Sequence, residues 1–454
     1  MPDLQSRRAQ VALALLGSAL ALGAAFALAE PAVLLAVAML PLAAILAFRQ
    51  PFLLCLLFIL FTFFRLHEAF PALNPLRLPQ LLALGSLGVL GGLLAFRRIA
   101  IAWSPELKLF AWFFAIITLG CLTATGRDLA IQAWTDNFVK IGIMVFAIAS
   151  LAREPRDFAL AARAFVAAGV AVAVVAISNR LGGIGLVEGT RVTVGRDIGS
   201  VLGDPNDLSL VLLFPLSFAV ALVVTWRTGL LWRVFGLLGS GAIVWAILCT
   251  QSRGGLLGIV AVVGALAARR IRSRAILLGG GAVALLLLFA VAGVSGRASG
   301  GAGEAGIDES SMGRLEAWKA AVRMAMARPF TGVGLKNYSA NFFFYSDWWE
   351  GFAKAVHSTW FSVLSEGGWI AFFLFIAMVV TTTRSALRSA DLSSPARAGA
   401  AYDPATHAMA QALVGGIAGF VVSGTFLTQG FTWPVYILLA LSVAVARRIE
   451  TARG

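Results

Sequence analysis

Apolar runs of membrane-spanning length recur along almost the whole chain, and that repetition restricts the fold more than any other feature. Runs near 10–28, 31–48, 79–96, 107–124, 136–152, 158–178, 207–225, 231–249, 275–294, 358–383, 406–427 and 431–446 match the roughly 17–25 residues an α-helix needs to cross a hydrocarbon core. Shorter runs at 52–64 and 254–268 reach that length with their flanks. A backbone in lipid has to satisfy its own polar groups, so each run predicts a helix. The expected fold is therefore all-α, a polytopic transmembrane helical bundle of about fourteen spans, or about twelve if the first hairpin or the short runs are re-entrant. Composition agrees: 59% of the 454 residues are apolar and 13% charged, against about 45–50% and about 25% in soluble domains.

The net charge of +14 raises the question of nucleic acid. The basic residues form no stripe with interleaved aromatics; they sit in short clusters between apolar runs, such as Arg97-Arg98, 269–274 and Arg447-Arg448. That is the layout of topology signals, so no nucleic-acid partner is expected. With both termini cytoplasmic, the cytoplasmic connections carry Arg49, Arg97, Arg98, Arg153, Arg156, Arg227, Arg233, Arg384, Arg388 and Arg397, while the short exterior ones at 29–30 and 428–430 carry none. Arg65, Arg77 and Arg127 are exterior exceptions. The first run, ending in Ala27-Leu28-Ala29, has signal-peptide features but continues almost directly into the second, as an uncleaved hairpin does. Cys55, Cys121 and Cys249 are isolated in apolar runs and read as small buried hydrophobes.

Three segments follow from this pattern: N-terminal spans over 1–178, a central core over 179–383, and a C-terminal hairpin and tail over 384–454. The core holds two long exterior connections, 179–206 and 295–357. The second opens on a Gly-rich coil, 295–306, and continues into an amphipathic helix with Leu315, Trp318, Val322 and Met326 on one face. Such a helix is expected to lie along the membrane surface. Pro329 ends it, Thr331-Gly332-Val333-Gly334 reads as a turn, and Phe342-Phe343-Phe344-Tyr345 and Trp348-Trp349 match an interfacial aromatic belt.

Charge at a membrane boundary is expensive, which makes the exterior polar residues informative. Arg191 and Arg196 precede Gly203-Asp204-Pro205-Asn206; Arg253 lies between two spans with almost no loop; His357 opens the span carrying Glu366. Guanidinium groups offer paired donors to phosphate oxygens, and histidine suits proton abstraction near neutral pH. Arg, Arg and His at a lipid–water boundary thus fit a lipid-linked pyrophosphate as leaving group and a hydroxyl as nucleophile. Singly, each has an ordinary explanation: a snorkelling arginine, a structural histidine, a Glu paired with an Arg, and an Asp-Pro-Asn turn and cap.

Ser252-Arg253-Gly254-Gly255, then Arg314, Trp318 and Pro329-Phe330-Thr331-Gly332-Val333-Gly334, then His357 and Leu364-Ser365-Glu366-Gly367-Gly368, resemble in order and spacing the O-antigen ligase and O-antigen polymerase superfamily, the WaaL- and Wzy-type proteins. The likeness covers roughly residues 190–370; upstream spans match only as hydrophobic helices, apart from Arg77-Leu78-Pro79. The resemblance implies a bacterial inner-membrane glycosyltransferase with its active site facing the periplasm, an undecaprenyl-diphosphate-linked glycan as donor, and neither cofactor nor metal. It implies that Arg191 or Arg196, together with Arg253, binds pyrophosphate. Arg314 would help hold the donor or the loop, His357 would activate the acceptor hydroxyl, and Glu366 would orient His357 or act as an alternative base. Where the family shows one prominent arginine before the Asp-Pro-Asn turn, this chain has two.

The favoured expectation is a ligase using a lipid A-core acceptor. A polymerase joining lipid-linked repeats and transfer to a protein hydroxyl are the related alternatives, and the residues leave open whether a chain-length regulator is a partner. A glycolipid transporter is the alternative of another class. It calls for polar residues through the midplane of several spans, whereas 259–266 and 276–294 are almost purely apolar.

Overall fold

The computed structural model describes residues 50–65, 78–101, 103–293, 311–347 and 353–453. The runs at 10–28 and 31–48, Arg77, the Gly-rich coil and Trp348-Trp349 lie outside these residues. The described chain is helical, without a strand; one isolated bridge joins Val187 to Arg191. The helices are α1 (Pro51–Thr62), α2 (Leu78–Ala95), α3 (Pro105–Thr123), α4 (Arg127–Leu151), α5 (Pro155–Gly182), α6 (Pro205–Val224), α7 (Leu230–Thr250), α8 (Arg253–Ala267), α9 (Arg274–Ala292), α10 (Ser311–Ala327), α11 (Tyr338–Tyr345), α12 (Thr359–Leu392), α13 (Pro404–Gly424) and α14 (Trp433–Arg453). Nine of them, among the described residues, are long and apolar enough to cross a membrane, so the protein is a helical membrane bundle. The two short apolar runs are the helices α1 and α8.

Burial sorts centre from rim. In the most apolar window of α6, 78% of residues are buried, against 6% in α9, which leaves α9 facing outward along its length. Glycine sets how close the central helices approach. A Cβ on Gly258 of α8 would lie 2.1 Å from the Leu213 side chain of α6, and one on Gly419 of α13 would lie 2.6 Å from Val262. These small residues let helix backbones come together where lipid offers no hydrophobic drive for association.

The helix ends sort into two groups. At one end, Arg270 donates to the Val224 carbonyl, Arg233 to Thr225, Arg269 pairs with Asp391 and Arg453 donates to Leu392. Most of the arginines assigned above to one side of the membrane come from this end. The other end receives the N-termini of α6, α8, α12 and α14 and both long connections.

The α10 helix has one face on the protein and another turned outward. The face packed on the protein is Ala317, Ala320, Ala321 and Met324, which join Val333, Tyr338, Phe342 and Val356 in a small core of their own. Leu315 and Met326 of the expected apolar face point outward, 47% and 68% exposed, in company with the exposed Phe330, Phe343 and Phe344. Alanine seats the helix against α12, Trp318 packs on the same small core, and Leu315 and Met326 are left for the lipid interface. Met324→Asp should therefore cost several kcal/mol, because it buries an unpaired charge, and Met326→Asp less than about 0.5 kcal/mol. Thermal unfolding in detergent measures both; equal losses would place the wrong face inward.

Candidate active site

The Pro-Phe-Thr-Gly-Val-Gly and Ser-Glu-Gly-Gly motifs are two halves of one structure. Gly368 has φ of 76° and ψ of −178°, which breaks α12 and frees backbone groups. The 329–334 loop satisfies them: the Trp369 amide donates to the Pro329 carbonyl at 2.8 Å, Val333 to Ser365 at 2.9 Å and Gly334 to Glu366 at 3.2 Å. The fit leaves no room for side chains. A Cβ on Gly332, at φ +63°, would lie 2.4 Å from the Ser365 carbonyl oxygen, and one on Gly368 would lie 2.7 Å from that of Pro329.

Glu366 completes this joint. One carboxylate oxygen accepts the Lys336 amide at 2.9 Å and the other the Tyr338 amide at 3.3 Å. Burial, and then the nearby Glu366 charge, push the Tyr338 hydroxyl well above its usual range, so it stays a donor, to the Ala317 carbonyl at 2.8 Å. Asn337 clamps the same loop to the α3–α4 corner: its Oδ1 accepts the Gly126 amide at 2.8 Å and its Nδ2 donates to the Gly126 carbonyl at 3.1 Å. Glu366 thus holds the loop; it lies two turns into α12, about 10 Å of helix rise beyond Thr359 at about 1.5 Å per residue.

The first long connection folds onto the ends of α6 and α7. Arg191 is 1% exposed. Its Nε donates to the Thr250 carbonyl at 3.1 Å, its Nη2 to Asn206 Oδ1 at 2.8 Å, and its Nη1 pairs with Glu188 at 3.5 Å. Asp204 is the N-cap of α6, accepting the amides of Asn206 and Asp207 at 2.7 and 3.1 Å. The Asp-Pro-Asn turn is therefore a cap, and Asn206 anchors the buried arginine. Arg196 is exposed, with a 3.4 Å bond to the Gly203 carbonyl.

Arg253 occupies the first turn of α8 behind the N-cap Ser252, whose hydroxyl accepts the Gly255 amide at 3.2 Å. Gly255 sits against Ser209 of α6, where a Cβ would come within 2.7 Å, so the second glycine is there for packing. The Arg253 side chain is exposed and, among the described residues, makes no hydrogen bond or ion pair. A helix N-terminus and a free guanidinium together favour an anion.

His357 is half-exposed, just before the start of α12, at φ +45°. That left-handed conformation costs a non-glycine residue about 1–2 kcal/mol. The preceding Val356 carbonyl accepts Trp318 Nε1 at 3.0 Å, and the Trp318 ring stacks on Phe361 at 5.1 Å. Trp318 lies one helical turn from the half-buried Arg314, so α10 carries Arg314 to the His357 neighbourhood.

The α13–α14 loop joins the pieces. Thr359 Oγ1 donates to the Leu427 carbonyl at 2.8 Å and accepts the Gln429 amide at 3.2 Å, and Gln429 Nε2 donates to Asp207 at 2.7 Å. Gly254 lies under Ser423 and Phe426 at the end of the same loop. Arg196, Arg253, Arg314 and His357 thus gather at one end of the bundle, with Arg191 locked beneath them and Glu366 under the loop. Asp207, Gln429, Thr359 and Asn337 went unnoticed in the sequence; a carboxylate at the start of an apolar run was the one visible sign. Among the described residues, no group of three His, Cys, Asp or Glu side chains is placed to hold a metal ion.

Comparison with curated proteins gives no match. The family model for the O-antigen ligase domain, Wzy_C, matches residues 238–376, from within α7 to just past the α12 kink. The matched stretch holds Arg253, Arg314, His357 and Glu366, so over this central third the chain is similar to O-antigen ligase domains, which supports the ligase and polymerase superfamily.

Proposed function

We propose that the protein transfers a preassembled glycan from undecaprenyl diphosphate to a lipid A-core hydroxyl at the periplasmic face of the bacterial inner membrane. The observation that carries this reading is that an exposed Arg253, unpartnered among the described residues, and a strained His357 each sit beside a residue held by the α13–α14 loop, Gly254 and Thr359. In this reading Arg253, with the α8 N-terminus, grips the diphosphate, and Arg196 and Arg314 add charge around it. Arg191 frames the site instead, since protein groups already occupy its donors. His357 takes the proton as the acceptor oxygen bonds to the anomeric carbon. The carbon–oxygen bond to the diphosphate breaks with its electron pair, and undecaprenyl diphosphate leaves as an anion that the guanidinium groups stabilise. Glu366 keeps the loop seated.

Deleting the protein in its host should leave long glycan stranded on undecaprenyl diphosphate and lipid A-core without polymer, visible by electrophoresis and lipid extraction. Single repeats capping lipid A-core would make it a polymerase instead. Unchanged polysaccharide with altered lipid distribution would make it a transporter.

A further inference from the structure

A cavity of about 420 Å³ lies beside the site and shares the α13–α14 loop with it. Gln429 and Thr432 form one wall. The Gln429 amide is bonded to Thr359, two residues after His357, so that wall stands within about 10 Å of the His357 backbone by chain reach. The opposite wall comes from α1, α2 and α4, through Thr62, Gln80, Asp136, Asn137 and Lys140.

The α4 wall is unusual for a span. Asp136 and Lys140 fall inside an apolar run, where each charge costs about 2.5–3.5 kcal/mol at mid-depth unless it faces a cavity or partner. The helix takes a π turn here, Trp134–Phe138, an expansion that often accompanies functional sites. Asn137 Nδ2 donates to the Phe431 carbonyl at 3.1 Å, tying the turn to the α13–α14 loop. Lys140 Nζ donates to the Asp136 carbonyl at 2.5 Å, while the exposed Asp136 carboxylate has no partner among the described residues.

The lining selects a ligand class. The amides of Gln80, Asn137 and Gln429 and the hydroxyls of Thr62 and Thr432 both donate and accept. The Asp136 carboxylate accepts only, which suits hydroxyl donors, and Arg65 and Lys140 in the same lining add cationic donors that suit sugar oxygens or an acidic sugar substituent. Trp433, packed edge-on against Phe58 at 5.2 Å, adds a fixed aromatic surface. An acyl or isoprenoid chain would press on the Asp136 carboxylate, the Lys140 ammonium and the Thr62 hydroxyl, which has no hydrogen-bond partner among the described residues. Hydroxyls, apolar ring faces and a small volume within the usual range of ligand pockets, about 300–1,000 Å³, together describe a sugar.

We propose that this cavity is a saccharide subsite, lined by Asp136, Asn137 and Gln429, which seats a sugar of one of the two substrates next to His357. The proposal rests on the transferase reading above. Two substitutions test it in the full chain in lipid nanodiscs: Asp136→Leu, which removes a carboxylate that holds nothing among the described residues, and Gln80→Trp, which adds bulk to the lining from an exposed position. The donor is lipid-linked glycan extracted from the host, and the acceptor is its polymer-free lipid A-core. Both variants should raise one substrate's KM at least tenfold with kcat unchanged. A rise for lipid A-core assigns the subsite to the acceptor sugar, and a rise for the lipid-linked glycan to the donor sugar. Unchanged KM values, or a fall in kcat alone, overturn the proposal. Saturation-transfer NMR with core oligosaccharide and with delipidated donor glycan, on His357→Ala protein with and without Asp136→Leu, reads the subsite without turnover. Signal lost on adding Asp136→Leu supports the subsite even if the transferase reading fails; no signal from either sugar overturns it.

Discussion

His357→Ala should lower transfer by about 10²–10⁴-fold, the range for loss of a general base, while the lipid-linked donor stays bound. Arg253→Ala should instead lose the donor, and Arg253→Lys should recover only part of the loss, because an ammonium keeps the charge without the paired donors. The structure separates these effects from misfolding. Arg253 is exposed and bonds to nothing described, so its removal should leave the unfolding temperature unchanged. Arg191→Ala is the contrasting control: it takes the guanidinium from Glu188, Asn206 and the Thr250 carbonyl at a buried position, so it should fail through instability. Donor retention is measured with radiolabelled lipid-linked glycan, turnover with lipid A-core, and stability by melting. Near wild-type turnover in His357→Ala would remove the histidine from the reaction. Arg253→Ala protein that keeps full donor affinity would remove the arginine from the diphosphate.

The second large effect is expected at the α12 break. Gly368→Ala has to fit a Cβ 2.7 Å from the Pro329 carbonyl oxygen and 2.9 Å from the Gly332 amide, at φ +76°. No side chain can move aside, since the neighbours are backbone. The loop should come off, freeing the amides of Trp369, Val333 and Gly334 together. Glu366→Ala attacks the same joint from the other side by orphaning the Lys336 and Tyr338 amides, at about 1–3 kcal/mol for each buried group left unpaired. Glu366→Gln keeps one acceptor oxygen at similar volume and should restore part of the loss. Melting in detergent, with limited proteolysis across 329–347, reads the joint directly. If Glu366 served His357 as a base or orienting group, Glu366→Ala would keep its stability and lose turnover. If the carboxylate is the seat of the loop, stability and turnover fall together.

Much of this protein was legible from the residues alone. Long apolar runs compel helices in lipid, so the helix positions and the two long connections followed from sequence. Local chemistry carried further: Asp204 caps α6 as the Asp-Pro-Asn turn suggested, Pro329 follows the end of α10, and Thr331-Gly332-Val333-Gly334 turns. Periodicity gave α10 an apolar face laid along the membrane surface, and the exposed Leu315 and Met326 fit it; the second, protein-facing side was not legible, because it is built from alanines. Here Ala317, Ala320, Ala321 and Met324, with Trp318 beside them, met the protein, while Leu315 and Met326 met the interface.

The sequence by itself determined the helical membrane fold, the two long connections and the short roster of arginines and histidine worth suspecting, because hydrophobic length, capping and charge are local properties. Only the tertiary structure decided their roles. It turned Arg191 and Glu366 inward onto protein partners and left Arg253 outside. It joined Asp207 to Gln429 across 222 positions, and it broke α12 so that a distant loop could complete its hydrogen bonds. The reason is physical: whether a polar side chain in a membrane protein is free for substrate depends on what the rest of the chain brings within 3 Å of it, and no window of sequence contains that information.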